Sequence, residues 1–280
     1  MRGLIAAAVV VTTGVLFVSI RDARWTRETA SMEADLAGVP PPAPSIGFEG
    51  VDRLPPPVQR YLRSALRQGG PSIRAVRLEQ SGRLRTGVES DAWLAFYARE
   101  TIAPVAKAFV WDAHVSVAPL VHVRVRDSYA GGVAQGEVAF QSAIPVSHDR
   151  GGHDLNAGEL FRLLAEAPWA PTLLLPGTDV SWSAKDDRSA VATLAQGGER
   201  VAVEFRFDGA GDVATVYAAD RPRAYSTTFV PTPWEGHFSR YEVVDGVRVP
   251  RAGAVGWWID GRWIPVWEGR IDAITIDRVR

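Results

Sequence analysis

Residues 154–177, DLNAGELFRLLAEAPWAPTLLLPG, decide the fold, because they hold the one convincing helix in the soluble part of a chain that otherwise reads as strands and turns. Asn156 and Glu159 have the spacing of a capping box, so a helix can start there. Leu160, Leu163, Leu164 and Ala167 follow at i, i+3, i+4 and i+7, and Pro168 cannot continue the ladder. The spacing predicts a helix over 157–167. Burying its three leucines is worth about 5–9 kcal/mol at most. So short a helix needs a surface to lie on. Glu159, Arg162 and Glu166 form a second stripe, expected to be a salt-linked, solvated helix edge. Two carboxylates on one stripe also suit acid and base roles. Trp169, Pro171 and Leu173–Leu175 make an apolar exit that closes one end of the core.

From Ile73 onward the apolar residues alternate with period two. Pairing 109–117 with 121–129 through a short turn puts Phe109, Trp111, Ala113, Val115 and Val117 on one face with Val121, Val123, Val125 and Tyr129. Asp127 then points inward, opposite Trp111. An inward carboxylate costs several kcal/mol unless it is bonded or neutral, so Asp127 grips a ligand's polar end or is satisfied by an indole or backbone N–H. His122, Arg124 and Arg126 on the other face are expected to be solvated.

The C-terminal third carries two Asp-Gly hairpin signals, at 245–246 and 260–261. Across the second, Trp258 falls opposite Trp263 and Ala254 opposite Trp267 on one face, with Val255, Trp257, Ile259, Ile264 and Val266 on the other. A ribbon apolar on both faces packs one on the core and offers the second to a barrel interior or an apolar molecule.

Apolar content of 46% over 280 residues supports one large domain, and a net charge of -1 excludes a polyanion binder on charge alone, so nucleic acid is not an expected partner. The chain has no cysteine, which removes disulfides, thiolate metal sites and a lipid-modified N-terminal cysteine. The histidines of SHDRGGHD, 147–154, lack a helical ligand spacing, so no metal site is expected. Gly209–Ala214 matches the dinucleotide glycine pattern as letters but lies between two strands, with no helix to hold a pyrophosphate. No phosphate loop or nucleophile elbow is present, and no cofactor is expected.

Gly3–Ile20 is uncharged, long enough to span a bilayer, and ends without a small-x-small cleavage site. It is expected to be an uncleaved single-pass anchor to the cell membrane. Arg21, Arg24 and Arg27 against Arg2 favour a cytoplasmic domain by the positive-inside count, without fixing the side. The expected organisation is an anchor over 1–24, a Pro-rich tether over 25–53 and a β-rich domain over 54–280, opened by a short helix bearing Val58, Tyr61, Leu62, Ala65 and Leu66.

The runs LPPPVQRYLRSAL at 54–66, FVWDA at 109–113, VRVRDSYAGG at 123–132, ELFRLLAEAPWAPTLLLP at 159–176, VEFRFD at 203–208 and TPWEGHFSRY at 232–241 resemble a bacterial family of uncharacterised membrane-anchored proteins, a domain of unknown function. That resemblance carries no catalytic role. The residues themselves predict a mostly β (α+β) fold, a single curved antiparallel sheet or open half-barrel wrapped on the helix. The expected function is a non-enzymatic carrier of a lipid-like molecule in an aromatic cavity built from Trp111, Asp127, Tyr129, Trp169, Trp234, Trp258, Trp263 and Trp267. The alternatives are a tethered hydrolase using Asp127, Glu159 or His153, and a partner-binding structural module.

Overall fold

A computed structural model describes residues 2–279, without side-chain placements for residues 2–13 and 15. Three helices, α1 (Arg2–Ala37), α2 (Pro56–Ala65) and α3 (His153–Ala165), accompany thirteen strands among the described residues. The first six strands are β1 (Ile73–Leu84), β2 (Leu94–Ala103), β3 (Ala108–Ala118), β4 (Val121–Ala130), β5 (Val133–Phe140) and β6 (Ile144–Arg150). After α3 come β7 (Val180–Asp186), β8 (Ser189–Gln196), β9 (Glu199–Phe207), β10 (Val213–Tyr225), β11 (Thr228–Val244), β12 (Val247–Ile259) and β13 (Arg262–Arg278).

All thirteen join in one antiparallel sheet, ordered β6-β5-β4-β3-β2-β1-β13-β12-β11-β10-β9-β8-β7. Each half is a meander stepping through hairpins, and the halves meet where β1 pairs with β13. The edge strands β6 and β7 are consecutive in sequence, so α3 between them must cross from one edge to the other.

The sheet curls into a half-barrel, and glycine permits its closest approaches. Gly82, Gly269 and Gly253 lie side by side on β1, β13 and β12. A Cβ on Gly82 would stand 2.0 Å from the Glu268 carbonyl oxygen, so no other residue fits there without moving backbone. The two wings touch where the β4–β5 turn meets the β8–β9 turn: a Cβ on Gly132 would lie 2.4 Å from Gly197 Cα.

Inside the curl, Leu160, Leu163 and Leu164 of α3 are fully buried with Leu173 and Leu174 from the turns that follow it. Val58, Tyr61 and Leu62 of α2 plug one end, Tyr61 packing on Phe207 at 5.8 Å between ring centroids. The helix begins at His153, ahead of the expected residue 157, and no side chain caps it. Asn156 lies within the first turn, and its Oδ1 accepts from the Ala134 N–H at 2.9 Å, latching α3 to β5.

The register of β3 against β4 sets Trp111 opposite Asp127 and Phe109 opposite Tyr129, as the alternation requires. In the last hairpin Trp258 does face Trp263, but a bulge between Val255 and Gly256 shifts the rest, so Trp267 pairs with Val255 rather than Ala254 and changes face.

The outer face differs more from expectation. Residues 25–37, expected in the tether, continue α1, whose later turns lie on the convex side of the sheet. The Arg124 and Arg126 stripe is therefore buried, not solvated. Asp112 accepts from Arg124 Nε at 2.9 Å and Nη2 at 2.7 Å, from Trp25 Nε1 at 3.2 Å and from Thr29 Oγ1 at 3.0 Å. The Trp25 ring lies under the Arg126 guanidinium at 4.5 Å, which also pairs with Glu137. Below this network Leu36 packs on Ala103, Ala108 and Val110. The expected anchor, Gly3–Ile20, falls mostly on residues whose side chains lie outside the description; among the described residues no helix is long and apolar enough to cross a membrane.

Because Asp112 is the bidentate partner of a buried guanidinium, Asp112→Ala should lower stability by about 3–5 kcal/mol. Arg24→Ala, which removes only an exposed i, i+4 pair with Glu28, should leave the urea midpoint in place.

Candidate functional site

The half-barrel is not filled. α3 packs mainly on β9 and β10, leaving a cavity of about 580 Å³ between its inner edge and the opposite wall of the sheet. Following each strand outward shows how it is lined. On β1 the lining runs from Gln80 to Leu84, on β3 from Trp111 to Val115 and Val117, and on β4 from Asp127 to Val125 and Val123. Trp169, Trp234, Phe238, Trp257 and Trp267 complete the wall. The wide end near Leu84, Leu94, Val117 and Val123 is mainly apolar, with Arg85 and Thr86 beside Leu84; the deep end is polar.

At that deep end Arg162 sits among four carboxylates. It donates from Nε to Glu166 at 2.9 Å and from Nη1 to Asp127 at 3.1 Å, with Glu100 at 3.5 Å and Glu159 at 4.0 Å. Its guanidinium also lies over Phe109 at 4.7 Å and Trp111 at 5.2 Å. Glu100 accepts from Gln80 Nε2 at 2.6 Å, and Gln80 Oε1 in turn accepts from Trp111 Nε1 at 2.9 Å. Asp127 is thus satisfied by an arginine, and the Trp111 indole opposite it is engaged by Gln80. The Glu159–Arg162–Glu166 stripe faces inward, correcting the expected solvated edge: α3 lies within the curl, so both its edges are enclosed.

Burial raises the pKa of Glu100 well above the carboxylate range, with Glu166 adding to it. Burial and the Asp127 charge push Glu159 up to about 7, and burial raises Asp127 despite its bond to Arg162. For Arg162, burial alone would favour deprotonation, but the surrounding carboxylates outweigh it and raise its pKa. Asp127 retains 29% side-chain exposure, and it lies on the cavity wall.

A second guanidinium, Arg221, has no carboxylate within ion-pair distance among the described residues. It lies over Trp234 at 4.7 Å and Trp257 at 5.7 Å, its Nε buried without a partner, and burial lowers its pKa. Glu159 Oε2 and Glu166 Oε2 are likewise buried without hydrogen bonds. Arg221 and Glu166 line the cavity and Glu159 does not; orphaned donors and acceptors on a cavity wall are groups poised to meet a polar ligand or water.

Of the residues singled out from sequence, Trp111, Asp127, Trp169, Trp234 and Trp267 line the cavity, with Arg162 and Glu166. Tyr129 does not: it is fully buried where the wings meet, its hydroxyl 3.5 Å from the Gln196 carbonyl. Trp258 and Trp263 are also off the cavity, because they alternate with the inward Trp257 and Ile264. His153 is 80% exposed and pairs with Glu199, apart from the carboxylate cluster. His148 pairs with Glu137 on β5, and no metal-holding group of His, Cys, Asp or Glu occurs among the described residues.

At the deep end two charged residues escaped the sequence reading. Glu100 follows the same signal as Asp127, an acid among the inward Phe96, Ala98 and Ile102, and alternation alone finds it. Arg221 does not, because a bulge between Ala218 and Arg221 turns it inward.

A profile of a family of unknown function, DUF6920, matches residues 52–276, and the chain belongs to that family. No curated protein matches the chain. Among solved structures it is similar to the LolA superfamily protein NE2245 from Nitrosomonas europaea, at 9% identity over 84% of this chain and 96% of that one, with a TM-score of 0.43. It is also similar to a putative outer membrane lipoprotein-sorting protein domain from Vibrio parahaemolyticus, at 8% identity over 82% and 92% of the two chains and a TM-score of 0.46. A DUF1329 family protein from Desulfovibrio piger shows 10% identity over 74% and 87%, with a TM-score of 0.41.

Glu159 gives the site a pH signature. Its folded pKa of about 7 lies above the ordinary 4.5, so across that window the folded chain keeps a proton the unfolded chain has lost. Stability should be greatest below the ordinary value and fall by up to about 3 kcal/mol as pH rises through 7. Urea midpoints between about pH 5 and pH 8 should show that decline, and Glu159→Gln should make it shallower, the remainder coming from Glu100 and Asp127.

Proposed function

We propose that this DUF6920 protein is a non-enzymatic carrier that holds one amphiphilic, lipid-like molecule in its half-barrel, tethered to the cell membrane by Gly3–Ile20. The observation that supports this most is the distribution of chemistry along the cavity. A space of about 580 Å³ falls in the size range of small-molecule sites, and away from the deep end its walls are mainly valine, leucine, phenylalanine and tryptophan, with Arg85, Thr86 and His237 among them. An acyl chain against Val115, Val125, Trp257 and Trp267 removes apolar surface from water on both sides. The polar end then reaches Arg221, the unpaired guanidinium, beside Asp127, Arg162 and Glu166 on the same wall.

A hydrolase is the second reading, and one observation favours it: Glu159 has a pKa of about 7 beside Asp127, which suits proton transfer at neutral pH. Turnover of acyl esters that Glu159→Gln abolishes would move the assignment there.

Displacement of a fluorescent fatty acid tests the carrier reading. Val125→Trp, which adds a ring within the cavity, should weaken binding at least about tenfold while thermal unfolding remains cooperative. Arg221→Leu should weaken carboxylate-headed probes about tenfold, the loss of one charge-assisted hydrogen bond, and leave a methyl-ester probe unchanged. Unaltered affinities in both variants would contradict a ligand lying where it is placed here.

A further inference from the structure

We infer that the wide end of the half-barrel is a bilayer-docking surface, so that the cavity opens directly onto the membrane that holds α1. The inference rests on the proposed anchor and carrier, and adds the orientation of one to the other.

The direction of α1 fixes the geometry. Leu36 packs on Ala103, Ala108 and Val110, at the ends of β2 and β3 far from the cavity mouth. Trp25 and Thr29 reach Asp112 midway along β3. Asp22 then meets Arg124 at 2.7 Å, and Arg21 Nε donates to the Ala143 carbonyl at 3.3 Å, in the β5–β6 turn. Traced backward, the helix thus climbs to the end where β3–β4 and β5–β6 turn, and the uncharged run precedes it there. Val117 and Val123, which line the cavity, flank the first of these turns.

The β3–β4 and β5–β6 tips are apolar where water would otherwise meet them, whereas the β1–β2 loop at the same end carries the exposed Glu89 and Asp91. Leu120 at the β3–β4 tip is 97% exposed, and Ile144 and Val146 at the start of β6 are 56% and 64% exposed. On α1, Leu16, Phe17 and Ile20 are exposed just ahead of Arg21. The tips are also held together: Gln141 Nε2 donates to the Leu120 carbonyl at 2.9 Å, and His122 Nε2 lies 3.0 Å from Ser142 Oγ. Leu120 has a φ of 64°, a left-handed conformation uncommon for leucine, which the surrounding contacts maintain.

A bilayer is the occupant that accounts for both features. The apolar run and the apolar tips arrive at one end of the domain, and Arg21, Arg24 and Arg27 follow the run where lipid phosphates would lie. Docked this way, a lipid leaves the bilayer head first toward Arg221 while its tail passes between Leu84, Leu94, Val117 and Val123, never crossing water.

The absence of cysteine allows a direct test on the full chain. Single variants Leu120→Cys, Ile144→Cys and, at the far turn, Asp245→Cys carry an environment-sensitive dye, and the protein is reconstituted into phosphatidylethanolamine–phosphatidylglycerol vesicles. Dyes at 120 and 144 should shift to the blue and be quenched by nitroxide-bearing lipids, whereas the dye at 245 should report water. If the chain floats with the vesicles but 120 and 144 report water like 245, docking is refuted and the anchor stands. A chain that does not float refutes both. Blue-shifted dyes without vesicles, in a protein running as a dimer, would assign the surface to a second copy and overturn the inference. In the Leu120→Asp, Ile144→Asp double variant, uptake of a soluble acyl probe should be unchanged and extraction from vesicles about tenfold slower; equal extraction would count against docking.

Discussion

The constraint on which this molecule depends is a connection. The two edges of a thirteen-stranded sheet are consecutive in the chain, so residues 151–179 must cross from one to the other. A 13-residue helix reaches only about 20 Å, far less than the width of so many strands laid flat. The crossing is compact, a helix followed by short buried turns, and the sheet curls over it until its edges come within reach. The glycines of β1, β13 and β12 allow the bend, and the Gly132–Gly197 contact marks where the wings meet. Because α3 leans on β9 and β10, the other wall is left facing open space, and that space is the cavity.

The carboxylate cluster argues that the space is used. Four acids around one arginine, with a second arginine stacked on tryptophan, is a poor way to stabilise an interior: apolar residues of similar volume serve as well or better. Raised pKa values at Glu100, Asp127 and Glu159 are the physical record of that unfavourable burial. Strongly perturbed groups on a cavity wall are a common feature of binding and reaction sites. Here Asp127 stands on the wall with Arg162, Glu166 and Arg221, Glu100 and Glu159 being buried off it, at the polar end of a mainly apolar channel, an arrangement suited to a molecule with one polar terminus.

Much of this was legible in the residues because sheets obey a period of two. Alternation placed Trp111 opposite Asp127, the Asp-Gly pairs marked two turns, and Leu160, Leu163 and Leu164 identified the helix face that is buried. Two of the misreadings share one cause, that a residue's surroundings are set by elements distant in sequence, and the others come from bulges. Glu159, Arg162 and Glu166 look like a wet helix edge until the helix is known to lie inside a curl. Arg124 and Arg126 look solvated until α1 is laid over them. Bulges at Val255–Gly256 and Ala218–Arg221 reverse the count, which turned Trp267 to the face opposite Trp258 and Trp263 and hid Arg221 altogether.

The central claim is that the hollow of the half-barrel holds one amphiphile. Native mass spectrometry of the full chain, purified without added lipid, measures this directly. The account predicts a protein peak accompanied by one of higher mass, differing by a single acyl-bearing molecule that solvent extraction removes. A bare peak alone, persisting after incubation with fatty acids and phospholipids, would contradict it.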